Sequence, residues 1–183
     1  MEEQAQSPFQ AAVKPGITIG LVSLVLTYLA YFIDSSLLTK WWFGVIALVV
    51  FFVLIIYFGK QYRAELGGFM SFGTAFNFSF ITMIVSGIIS LIGQILLYQV
   101  IDPSLPAVLA DLTFETTLKT MESFGANPDS LSPEQLDEIR ESSSSQFTLA
   151  GQLKGFGFGL IAYAIIALIL GAILKKRDKS LDY

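Results

Sequence analysis

Neither cysteine nor histidine occurs among the 183 residues of this chain. That removes disulfides, cysteine–histidine zinc sites, thiol nucleophiles, lipid attachment at cysteine, and histidine-centred acid–base or haem chemistry. Nothing is left that reports on the redox compartment. Charge is also scarce, at 14% of residues against roughly 25% in soluble domains. The hydrophobic share is 54%, above the roughly 45–50% of such domains. An apolar excess of this size requires a solvent other than water. The net charge of −4 argues against nucleic acid as a partner.

Charge is missing in blocks. Residues 17–33, 41–58, 75–101 and 155–174 hold no Asp, Glu, Lys or Arg. A helix of ~20 apolar residues, with a lower bound near ~17, crosses a hydrocarbon layer about 30 Å thick. All four blocks qualify. The third would reach about 40 Å and must tilt or project beyond lipid. The pattern predicts an all-α integral membrane protein of four transmembrane helices, with a helical extracytoplasmic loop between the third and fourth. The first block is not read as a signal peptide. Glu2, Glu3 and Lys14 make no basic leader, and no small-residue cleavage site follows Ile33.

Residues 1–15 read as a polar cytoplasmic tail, and 16–101 hold the first three helices with a cytoplasmic connector at 59–74. Trp41 and Trp42 read as an interfacial aromatic anchor. Phe69, Phe72 and Phe76 near the Gly67-Gly68 pair suggest a segment lying in the membrane interface. Residues 102–146 form an acidic extracytoplasmic loop with two expected helices, about 103–124 and 133–141. In the first, Leu105, Val108, Leu109 and Leu112 recur at helical spacing, and Gly125 with Asn127-Pro128 ends it. The second opens on Ser132-Pro133-Glu134-Gln135, a serine cap with a capping-box glutamine. Leu109, Leu112, Leu136 and Ile139 are expected to pack the pair together, or onto the membrane surface. Residues 147–174 are the fourth transmembrane helix and 175–183 a basic cytoplasmic tail.

Basic residues near the membrane set the orientation. With the N-terminus inside, the inner side carries Lys14, Lys60, Arg63, Lys175, Lys176, Arg177 and Lys179. The outer side carries Lys40, Lys119, Arg140 and Lys154. Seven against four places both termini in the cytoplasm.

From the second helix onward a signature can be read: Gly59-Lys60-Gln61-Tyr62-Arg63, then Gly67-Gly68, then Ser71-Phe72-Gly73-Thr74-Ala75-Phe76. A third span ending near Tyr98 and Pro103 follows, then the acidic helical pair and a last span ending in lysines. This order resembles a family of uncharacterised bacterial membrane proteins, mostly from Bacteroidota (domain of unknown function, family 4199). The resemblance implies four membrane helices and a bacterial inner membrane, and no activity. The chain departs from the family's pattern at Ala64-Glu65, where a more polar, Asp-containing step follows the arginine.

Three groups of residues invite functional readings. Ser79, Thr82, Ser86 and Ser90 line one face of the third helix, and Gly151, Gly155 and Gly159 form two GxxxG steps on the fourth. In lipid, small residues allow close backbone approach and hydroxyls bond between helices, so such faces are contact faces. Packing within one chain, a homo-oligomer seam and a polar pore lining all remain open at this point. Glu134, Asp137, Glu138 and Glu141 stack their carboxylates on one helix face. They read either as a solvated face or as a weak site for a divalent ion or a basic partner. Lys60, Tyr62 and Arg63 read as a lipid-headgroup anchoring belt, or as a phosphate nook beside the glycine amides.

No ionisable residue lies inside the charge-free blocks, and no Ser–His, paired-Asp or metal-cluster arrangement is present. No catalytic residue, metal site or cofactor is therefore expected. The leading expectation is a non-enzymatic structural or accessory protein binding another membrane protein and the lipid bilayer. The alternative is an oligomeric channel or transport module lined by the Ser/Thr face of the third helix.

Overall fold

The computed structural model describes residues 6–177, which fold almost wholly as helix. The order is α1 (Pro8–Ile33), a 3₁₀ turn (Ser35–Thr39), α2 (Trp41–Glu65), α3 (Phe72–Leu96) running into a π-turn (Leu97–Ile101), α4 (Leu105–Ser123), a 3₁₀ turn (Pro128–Ser130), α5 (Pro133–Ser145) and α6 (Leu149–Leu174). Four of these helices are long and apolar enough to cross a membrane: Pro8–Ile33, Trp41–Glu65, Phe72–Ile101 and Leu149–Leu174.

Three boundaries differ from the sequence reading, each for a local reason. First, α1 begins at Pro8 rather than near Pro15. Ser7 Oγ accepts from the Gln10 amide at 3.3 Å while Gln10 Oε1 accepts from the Ser7 amide at 3.2 Å. This reciprocal capping box starts the helix, and Pro15 is tolerated inside it. The part of the expected tail before Gln6 lies outside the described residues, as does the end of the expected basic tail beyond Arg177. Second, α2 continues to Glu65 and α3 starts at Phe72, so the connector shrinks to 66–71 and Phe72 and Phe76 belong to α3. Gly67 and Gly68 both take positive φ, at 81° and 88°, which ends α2 where a side chain would be strained. Third, α5 runs through the serine run to Ser145, because Ser143, Ser144 and Ser145 bond back to carbonyls of their own helix.

The chain divides into two compact units, and each of the four long helices contributes to both. The first takes α1 up to Leu24, Ala47–Ser90 and α6 from Gly157. Its core joins Ile19, Ile55, Met83, Ala167 and Leu170, so α1, α2, α3 and α6 all meet there. A second cluster in the same unit gathers Ala12, Tyr62, Met70, Ala75, Phe78 and Leu174. The other unit comprises Val25–Ile46 and Leu91–Phe156. Its core is Leu97, Tyr98, Leu105 and Leu109, flanked by Tyr28, Tyr31, Leu38 and Phe147. Helices α4 and α5 pack on one another as expected, but Leu109 faces the end of α3. Arg140 joins α5 to α4, 3.5 Å from Asp111 and 4.4 Å from the centre of the Phe114 ring.

Candidate functional site

The signature stretch proves to be a clasp. Gly59 is where Leu174 of α6 lodges: a Cβ on Gly59 would stand 2.5 Å from Leu174 Cδ1. One turn on, Tyr62 is buried, stacks on Phe78 at 5.2 Å, and donates its hydroxyl to the Gln6 carbonyl at 2.8 Å. Arg63 donates to the Leu174 carbonyl at 3.1 Å, satisfying a terminal α6 acceptor that has no partner within the helix. Past the two glycines, Met70 and Lys176 exchange backbone bonds of 2.9 Å in each direction. Ser71 then caps α3 by accepting from the Thr74 amide at 3.1 Å. Ala75 is buried, and Gly171 of α6 leaves room for the Phe72 ring.

This corrects the anchoring-belt and phosphate-nook readings for Tyr62, which is buried and spends its hydroxyl on the Gln6 carbonyl. Arg63 is half-buried and gives one N–H donor to the Leu174 carbonyl, and Lys60 is exposed. Trp41 and Trp42 are exposed, at 79% and 41%.

The hydroxyl face of α3 is covered by α1. Ser79, Thr82 and Ser86 are buried, and Ser90 is half-buried. Gly16 of α1 sits against Val85 and the Thr82 carbonyl, and Gly20 against Ile89 and the Ser86 carbonyl. Thr82 Oγ1 reaches the Ala12 carbonyl at 3.5 Å, and Ser79 Oγ has no partner. A face filled by a neighbouring helix of the same chain lines no pore, so the channel alternative loses its wall. The glycines of α6 are a second correction. Gly155, Gly157 and Gly159 have nothing within 4 Å of a built Cβ, whereas Gly151 packs against Ser145 and Gln146 at the end of α5. Among the described residues Gly155, Gly157 and Gly159 are not a helix–helix contact.

The segment that follows α3 hangs on Asp102. Its Oδ1 accepts from the Ser104 hydroxyl at 2.6 Å and from the Ser104 and Leu105 amides at 3.1 Å. Its Oδ2 accepts from the Tyr31 hydroxyl at 3.2 Å. The Ser104 hydroxyl is the strongest of several donors that hold this carboxyl below its ordinary range. On the hairpin itself, Lys119 pairs with Glu115 at 3.9 Å and Arg140 with Asp111. Glu134, Asp137, Glu138 and Glu141 all remain exposed and have no ion pair among the described residues. The backbone amide of Glu134, then the Ser132 side chain, lower the Glu134 pKa, in keeping with a carboxylate at a helix start. Among the described residues no three Asp or Glu side chains come together as metal ligands.

Two clefts open in this unit. One, of about 560 Å³, is lined by Glu115, Lys119, Glu122 and Asp129 beside Leu118 and Gly125. The other, of about 420 Å³, lies among the end of α3, the start of α4 and the α5–α6 junction. In the first turn of α6, Gln152 is buried, donating to the Phe147 carbonyl at 3.2 Å while its own Oε1 goes unpartnered. Spacing gave no sign of Gln152 or of Tyr98 as site residues.

No curated protein and no solved structure matches the chain. A family model does match, over residues 14–176, a span that includes the signature stretch, the α4–α5 hairpin and all of the four long helices except the first residues of α1. The chain belongs to the family described as "Protein of unknown function (DUF4199)".

Proposed function

We propose that the protein is a multi-pass component of a bacterial inner membrane, with both termini cytoplasmic, that works without catalytic turnover or a cofactor. In this reading it acts by docking a basic segment of another membrane protein on the outer face of α5. One observation carries it: both basic residues of the hairpin are already paired with its own acids, while Glu134, Asp137, Glu138 and Glu141 stay exposed. Like charges at i,i+4 disfavour a helix by a few tenths of a kcal/mol, and a cationic partner removes that cost. The hairpin is also held firmly to its unit, through the Asp102 network and the Leu105–Leu109 contacts with Leu97 and Tyr98. A fixed charged face is suited to steering and registering a partner.

Replacement of the four acids by lysine tests the reading. A stoichiometric partner recovered in gentle detergent should be lost from the variant, and lost from the unaltered protein as salt rises. A partner retained through both changes would sink the proposal. Topology is checked separately, with single cysteines in this cysteine-free chain. In intact spheroplasts an impermeant maleimide should label Ser130→Cys and spare Ser180→Cys, and the reverse pattern inverts the orientation.

A further inference from the structure

The cleft of about 420 Å³ falls within the roughly 300–1,000 Å³ usual for small-molecule sites. Its walls carry no charged side chain. Pro103, Pro106, Ala107 and Leu149 give it apolar surface, and the polar atoms come from Tyr98 and Gln99 together with two hydroxyls that are already committed. Of these, Ser144 donates to the Glu141 carbonyl and Thr148 to the Ser145 carbonyl.

Tyr98 is different. It is 93% buried, being 7% exposed, and its ring meets Phe147 edge-on at 6.1 Å. Its hydroxyl has no hydrogen-bond partner among the described residues. Ser79 Oγ and Gln152 Oε1 are sealed and unpartnered, whereas the Tyr98 hydroxyl is not sealed, and Tyr98 lines the cleft. The residue sits in the π-turn Leu97–Ile101, closed by the Asp102 amide on the Leu97 carbonyl at 2.8 Å.

We propose that this cleft holds the glycerol–ester region of a diacyl membrane lipid, with the Tyr98 hydroxyl donating to an ester carbonyl. An uncharged wall recognises neither a phosphate nor an ammonium group, but it suits a neutral acceptor flanked by hydrocarbon. The cleft is also built from the adjoining ends of α3 and α6, two of the helices apolar enough to cross a membrane. There a lipid's ester layer meets the chain once these helices are inserted, so the proposal rests on the membrane reading above.

The test uses the full chain, delipidated in detergent and titrated by native mass spectrometry. The probes are dioleoyl phosphatidylethanolamine and its dialkyl ether analogue, which lacks the carbonyl acceptor. The ester lipid should be retained about fivefold more tightly, the factor carried by one hydrogen bond of ~1 kcal/mol. Tyr98→Phe should bring the two lipids to parity, and Ala107→Trp, at an exposed position on the cleft wall, should weaken both. Equal retention of ester and ether lipid by the unaltered protein overturns the proposal. So does an ester preference that survives Tyr98→Phe. Should Tyr98→Phe lower the melting temperature, Ala107→Trp decides alone: weaker retention supports the site, and unchanged retention removes it. Carbonate extraction of the producing cells reports membrane insertion independently, so failure of that reading is distinguishable from failure of the lipid site.

Discussion

On α1, a Cβ added to Gly16 would lie 2.6 Å from Val85 Cβ and 3.0 Å from the Thr82 carbonyl, and one added to Gly20 would lie 2.8 Å from Ile89 Cβ. On α6, a Cβ added to Gly155, Gly157 or Gly159 meets nothing within 4 Å. Both helices space glycines four apart, and only one uses the spacing inside the chain. The difference lies in the neighbour. A GxxxG step removes side chains from a face, which permits backbones to approach but supplies no partner. Across from Gly16 and Gly20, α3 presents Thr82, Val85, Ser86 and Ile89, whose branched side chains and carbonyls fill the gap. Gly155, Gly157 and Gly159 have no such counterpart among the described residues.

The sharpest way to break this contrast is Gly20→Leu. The extra side chain must displace α3 backbone or the β-branched Ile89, so destabilisation of about 3 kcal/mol or more is expected, at the upper end of overpacking costs. Unfolding in mixed micelles would measure it, and a loss below about 0.5 kcal/mol would mean that α1 and α3 do not meet here.

A smaller effect is expected from the clasp. Arg63→Ala removes a charged donor from the Leu174 carbonyl at 3.1 Å. Such bonds contribute roughly 1.5–3 kcal/mol, and Arg63 is only half-buried, so about 1 kcal/mol is expected, with faster proteolysis after Leu174. Tyr62→Phe, which deletes only the hydroxyl bonded to Gln6, should cost about 1 kcal/mol.

The unit that holds Asp102 should respond to pH with a definite sign. The Asp102 carboxyl is held below its unfolded value by Ser104 and the other donors. Its contribution is therefore complete above the ordinary carboxylate pKa, near ~3.9, and fades as pH falls through the lower folded value. Proteolysis of the α4–α5 hairpin by an acid protease should rise across that window, and Asp102→Asn should flatten the profile. An unchanged profile in the variant would place the pH response elsewhere.

The smallest effect belongs to Gly155→Leu. With open space around that position, monomer stability should stay within about 0.5 kcal/mol. A large loss would show that another molecule occupies the face.

How far the sequence could be read follows from the range of each interaction. Four charge-free blocks were enough to place four apolar helices, because burying charge in hydrocarbon is costly wherever the fold puts it. Ser132-Pro133-Glu134-Gln135 declared the start of α5 because a capping box is complete within four residues. Ser7-Pro8-Phe9-Gln10 has the same form and opens α1 seven residues before the expected start. There the polar surroundings and the later Pro15-Gly16 drew the boundary inward. The signature from Gly59 to Phe76 was visible as a pattern but not as a clasp. Leu174 and Lys176 lie more than a hundred residues further along, and nothing local to Arg63 says that its partner is a carbonyl at the end of α6. The same holds for the two glycine ladders, the covered hydroxyls of α3, and the buried Tyr98 beside its cleft. Helix existence and polarity are settled by terms that act within a turn or two of chain. Which faces meet is settled by the packing of side chains brought together from distant parts of the sequence, and that only the tertiary structure decides.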